Sequence, residues 1–61
     1  MPRAAYHFAY AKKLRDRAEE CRNIAQTMAG RPAATAAYLQ LAKAYDLLAD
    51  QEEELARGLA T

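Results

Sequence analysis

YLQLAKAYDLLADQEEELARGLA, residues 38–60, returns leucine every seven positions, at Leu41, Leu48 and Leu55, and follows each with alanine, at Ala42, Ala49 and Ala56. A seven-residue return keeps one stripe of a helix turned towards one neighbour. Stepping about 100° per residue gathers Tyr38, Leu41, Tyr45, Leu48, Leu55 and Leu59 on one arc, with Ala42, Ala49 and Ala56 on one side of it and Ala37 and Ala44 on the other. The arc spans about 160°, where a helix packed on a single neighbour needs about 100°. The stretch therefore reads as a helix with two contact surfaces, the leucines in the middle and the alanines setting a close approach beside them.

The only internal punctuation upstream is Gly30-Arg31-Pro32. Glycine suits the left-handed position after a helix, and proline suits the first turn of the next. One unit over residues 1–61 is predicted, with helix one over about 3–29, a turn at 30–32 and helix two over about 33–57, fraying at Gly58. Pro2 stands where a missing N–H costs nothing. So short a link forces the helices antiparallel, which makes an αα-hairpin of all-α class. Helix one then presents Tyr10, Leu14, Ala18, Cys21, Ala25 and Met28 on one arc, with Tyr6 and Ile24 at its edge.

Charge supports the same pairing. Residues 1–31 carry seven Lys or Arg against three acids, and residues 32–61 carry two against five, so the halves balance at +4 and −3. An antiparallel hairpin sets the acidic Asp50–Glu54 stretch beside the basic start of helix one. Local pairs at four-residue spacing, Arg15 with Glu19 and Glu53 with Arg57, add a little. Arg17, level with Tyr45 and Asp46, is expected to hydrogen-bond across the seam. Leu39 and Leu47 point away from the main arc.

Size bears on assembly. Sixty-one residues bury a modest share of their unfolded surface, and 16 of the 32 hydrophobic residues are alanine. Small domains are usually stapled by disulfides, metals or oligomerisation. A lone Cys21 excludes an intrachain disulfide and a lone His7 argues against structural zinc, which leaves oligomerisation. Two hairpins pairing into a dimeric four-helix bundle is the expected assembly, with Leu14, Cys21, Met28, Tyr38, Leu41, Tyr45, Leu48 and Leu55 at the helix interfaces. No apolar run approaches the 18 or so residues needed to span a bilayer, and the start of the chain lacks the apolar core and cleavage site of a signal peptide. A cytoplasmic location is expected.

Chemistry is sparse. There is no serine, and two isolated glycines make no phosphate loop, so neither catalysis nor a cofactor is expected. His7 and Glu52 fall on inner arcs at similar heights, and a two-fold dimer would assemble two of each. That makes them weak metal candidates, since carboxylate-bridged di-iron bundles carry a Glu-x-x-His motif that is missing here. Cys21, mid-seam between Leu14 and Met28, reads as a small hydrophobe rather than a reactive thiol. YHFAYAKKLRDR, residues 6–17, interleaves aromatic and basic side chains as nucleic-acid surfaces do. A net charge of only +1 and the neighbouring acids favour an aromatic packing face with a solvated basic side.

AEECRNIA (residues 18–25) and YLQLAKAYDLLADQEE (residues 38–53) resemble the short helical-hairpin proteins of α-proteobacteria, especially rhizobia and their relatives. Those share an AEECR-like helix, a short turn and a second helix with a Leu-Ala-x-x-Tyr pattern. The resemblance implies a hairpin and no particular activity. The chain is also similar, in LAKAYDLLAD at residues 41–50, to one helical pair of a tetratricopeptide repeat, although a single pair lacks the neighbours such arrays need.

The expected role is a non-catalytic protein-interaction or accessory scaffold, partnered by itself and by an unidentified protein. Its recognition edge would be Tyr6, Phe8, Tyr10, Lys12 and Lys13. Association with nucleic acid through that edge is the alternative, and metal or redox sensing through His7, Glu52 and Cys21 a third.

Overall fold

The computed structural model describes residues 3–60. Two helices make up the fold, α1 (Arg3–Thr27) and α2 (Pro32–Ala60), and no strand occurs among the described residues. They run antiparallel, with Ala11 packed by Ala49 and Ala18 by Ala42. Pro2, expected to open helix one, lies outside the described residues. Among the described residues no helix is long and apolar enough to cross a membrane.

The link differs in detail from expectation. Helix α1 stops at Thr27 rather than 29, because the Met28 carbonyl is taken by the Arg31 N–H at 2.8 Å, which closes a tight turn. The same carbonyl accepts the Thr35 hydroxyl at 2.6 Å, so a side chain of α2 ties down the end of α1. Gly30 does not adopt the left-handed conformation foreseen for it: no described glycine has positive φ. The Thr35 hydroxyl takes over the capping assigned to that glycine. Helix α2 starts with the Arg31 carbonyl accepting the Thr35 N–H at 3.0 Å, which leaves Pro32 at the first helical position where no donor is needed. It continues through Gly58 to Ala60 instead of fraying. A helical glycine costs about 1 kcal/mol relative to alanine, too little to end a helix whose preceding turn holds buried Ala56.

The seam between the helices is built chiefly of alanine. From α1 it receives Ala11, Leu14, Ala18, Cys21 and Ala25, at alternating three- and four-residue steps, and from α2 Ala42, Ala49 and Ala56. Tyr38 and Tyr45 pack on these from the intervening positions of α2. Each helix thus contributes an alanine every seven residues, and small residues at matched positions let two backbones approach to the short end of the usual 8–10 Å spacing. Leu14 is the one leucine buried in the hairpin, and no large side chain among the described residues is fully buried.

This revises the expected packing. Leu41, Leu48 and Leu55 do not hold the centre of the contact with α1; they remain 44, 47 and 48% exposed. Their alanine neighbours are 2, 0 and 0% exposed. One step of 100° separates the two stripes, and the tighter backbone approach goes to the stripe of small residues. The result is a thin rod, 47 × 15 × 9 Å.

Candidate functional site

With alanines at the centre of the seam, each helix has two flanks, and the antiparallel arrangement joins them into two broad faces of unlike chemistry. The first face is ionic. The Arg15 guanidinium donates to Asp50 at 2.8 Å and to Glu53 at 2.6 Å, and lies 3.8 Å from Asp46. Two turns along, Arg22 donates to Asp46 at 2.8 Å and to Glu19 at 3.1 Å. Two arginines of α1 are thereby bound to three acids of α2, which is the charge match the sequence halves imply.

Hydrogen bonds from Glu53, and then from Asp50, raise the Arg15 guanidinium above the ordinary arginine range. Those from Asp46 and Glu19 do the same for Arg22. A folded pKa above the free value keeps the contribution intact at every pH below the ordinary arginine range, so these groups stay charged throughout neutral conditions. Arg57, raised chiefly by Glu54, belongs to a separate local pair at 2.7 Å.

Three expected pairings are replaced. Arg17 does not cross the seam; it pairs with Glu20 on its own helix at 3.2 Å. Glu19 is taken by Arg22 rather than Arg15, and Arg57 by Glu54 rather than Glu53. The cause is the phase of the seam: centred on Ala18, α1 turns Arg15 and Arg22 to the acidic flank and Arg17 to the opposite one.

The second face is apolar. Leu41, Leu48, Leu55 and Leu59 lie on the flank of α2 opposite Asp46 and Glu53, and Tyr10 and Ile24 lie on the matching flank of α1. All six are between 37 and 48% exposed. Each is half-covered by its own hairpin and half-open. Arg17 and Lys13 stand on the α1 side of this face, with Ala37 and Ala44 along its α2 margin. Leu39 and Leu47 are exposed elsewhere, Leu39 beside the ionic face and Leu47 directly away from α1.

The proposed recognition edge is divided. Tyr6, Tyr10 and Lys13 share one side of α1 and, with Ala9, line a shallow concavity of about 200 Å³. Phe8 and Lys12 are on the other side, where Lys12 pairs with Asp16 at 3.2 Å. The helical phase places Tyr6, Tyr10 and Lys13 at the margin of the apolar face and sets Phe8 and Lys12 towards the ionic one, so the five do not form one surface.

His7 and Glu52 do meet, Nδ1 to Oε1 at 3.0 Å, each side chain about one-fifth exposed. The Tyr6 ring stands edge-on to the imidazole at 5.5 Å between centroids. This pair occupies the seam positions one turn before Ala11 and one turn before Ala56, and so continues the seam between them with a polar contact. Among the described residues no group of three or more His, Cys, Asp or Glu is gathered for a metal ion. Cys21 is buried with Ala18 and Ala42, and the cations nearest to it in sequence, Arg17 and Arg22, are engaged by acids.

Met28, expected at an interface, is half-buried at the turn. Sequence reasoning foresaw the close approach at the alanines but missed that their stripe, rather than the leucine stripe, is the centre of the seam. Its signal was present as Ala11, Ala18 and Ala25, whose seven-residue return matches that of Ala42, Ala49 and Ala56. No protein-family model, curated protein or solved structure matches the chain.

Proposed function

We propose that this protein is a non-catalytic helical interaction protein that works in the cytoplasm as a homodimer. Two hairpins close their leucine faces on each other to form a four-helix bundle, which holds the ionic faces outward for a further protein partner. The half-exposed row of Leu41, Leu48 and Leu55 carries this reading. Single exposed leucines are ordinary, but a contiguous apolar strip along a whole face is characteristic of a surface meant to be covered.

The dimensions agree. The chain exposes 4545 Å², where a compact monomer of 6.8 kDa exposes about 4,000 Å². Its radius of gyration is 14.1 Å, against roughly 10.5 Å for a compact chain of this length. A face of 47 by 15 Å offers about 700 Å² per copy, close to the roughly 800 Å² that each partner gives to a stable interface. The seven-residue spacing of the leucines also favours a helical occupant, because knobs at that interval seat between the residues of a facing helix.

Nucleic-acid binding gains less support. Arg15 and Arg22 are engaged by acids of the same chain, and Lys12 points away from Tyr6 and Tyr10. Metal sensing would begin from only one imidazole and one carboxylate per chain.

The test is thermal unfolding followed by circular dichroism over a hundred-fold range of protein concentration. A dimer melts higher as concentration rises. A melting temperature independent of concentration, with full helicity retained, would contradict the proposal.

A further inference from the structure

Two two-fold arrangements close the leucine faces, and they differ in which helices touch. With turns at opposite ends, α1 rests on α1 of the second copy and α2 on α2. With turns at the same end, each α1 rests on the second copy's α2. Resting on the dimer reading above, we infer that the second copy docks with its turn at the same end, so that every contact between the copies joins an α1 to an α2.

Charge distinguishes the two. Helix α1 carries Arg3, Lys12, Lys13, Arg15, Arg17 and Arg22 against Asp16, Glu19 and Glu20, a balance of +3. Helix α2 carries Lys43 and Arg57 against Asp46, Asp50, Glu52, Glu53 and Glu54, a balance of −3. Opposed turns stack like on like in both contacts between copies; turns together stack opposites in both. At helix spacings of 8–10 Å, these fields act within about one Debye length at physiological salt.

The charges on the apolar face sharpen the choice. Lys13 and Arg17 lie near the middle of α1, on the open flank, with Glu20 as the acid paired to Arg17. The other acid near this face, Glu52, is held by His7. In the opposed arrangement a two-fold axis at mid-length brings Lys13 and Arg17 of one copy onto Arg17 and Lys13 of the other. With turns together, the same side chains meet Leu41, Ala44 and Leu48, over which their long stems lie while the charged ends reach water. Apolar burial does not choose, since the same two faces are covered either way and the gain follows area.

Spin labels on Arg31→Cys in a Cys21→Ala background measure the arrangement directly, because Arg31 sits exposed in the turn. Turns together place the labels one or two helix spacings apart, about 10–20 Å before the label arms are added. Opposed turns place them nearly the full 47 Å length of the hairpin apart. A dimer by light scattering with a short label separation supports the inference; a dimer with a separation near the hairpin length overturns it and leaves the dimer reading standing. A folded monomer with no coupling overturns both. The unlabelled native protein gives an independent check. Turns together predict a dissociation constant that rises several-fold between about 0.05 and 1 M salt as attraction is screened, and one that falls instead overturns the inference.

Discussion

Exchanging alanine for leucine at position 49 separates the two ways of packing this hairpin. Ala49 is fully buried and packs with Ala11, also fully buried, and with Leu14. Leucine there forces three extra carbons into the closest approach of the helices. Overpacking of this kind costs typically 1–3 kcal/mol, which for a domain of about 60 residues lowers the melting temperature by roughly 8–24 °C. Ala36→Leu is the control, because Ala36 is exposed on the outer side of α2, and a surface change of this kind stays within about 0.5 kcal/mol. Thermal and urea unfolding of both variants at one protein concentration reads the difference. Were the leucines the centre of the seam, Ala49→Leu would enlarge an apolar margin and leave stability unchanged or higher, and that outcome would refute the alanine seam.

Further changes probe the turn, the helix end and the ionic face. At both Gly30 and Gly58 an added Cβ meets nothing within 4 Å and no positive φ stands in the way. Gly58→Ala should therefore stabilise by about 0.5–1 kcal/mol and Gly30→Ala by about 0.4–1 kcal/mol, both read in urea; a loss at Gly30 would mean that the turn needs glycine after all. Thr35→Val removes the hydroxyl that donates to the Met28 carbonyl and should cost about 1 kcal/mol, measured by the same unfolding. Arg15→Gln should lower the melting temperature at low salt and lose most of that effect near 1 M salt, where screening shortens the Debye length to about 3 Å. An effect undiminished by salt would show that the arginine acts through packing instead.

Much of the fold is legible in the sequence. Two long helices, a link at residues 30–32 and antiparallel charge matching follow from periodicity, Gly-Arg-Pro and the unequal halves of the chain. What is not legible is the phase of the seam. Leu41 and Ala42 are adjacent and repeat with the same period, so the pattern of α2 alone cannot say which stripe turns inward. The deciding partner is the alanine series of α1, since only small residues on both helices permit the close approach. The mistaken cross-seam pairing of Arg17 has a related cause: with Ala18 at the centre of the α1 seam, Arg15 and Arg22 fall on the acidic flank and Arg17 on the opposite one. Gly30 illustrates a different limit. Glycine after a helix commonly signals a left-handed cap, but here a hydroxyl seven residues on from Met28 supplies the hydrogen bond, a contact that exists only once the hairpin has closed.

Whether the leucine face is covered by a second copy is answered most directly by sedimentation equilibrium of the native protein beside Leu48→Glu. The native chain should sediment at twice 6.8 kDa at micromolar concentration. Leu48→Glu, which sets a carboxylate in the middle of the face while leaving the alanine seam untouched, should sediment as a monomer. A native protein that remains fully helical at 6.8 kDa, or a Leu48→Glu variant that dimerises as well as the native chain, would contradict it.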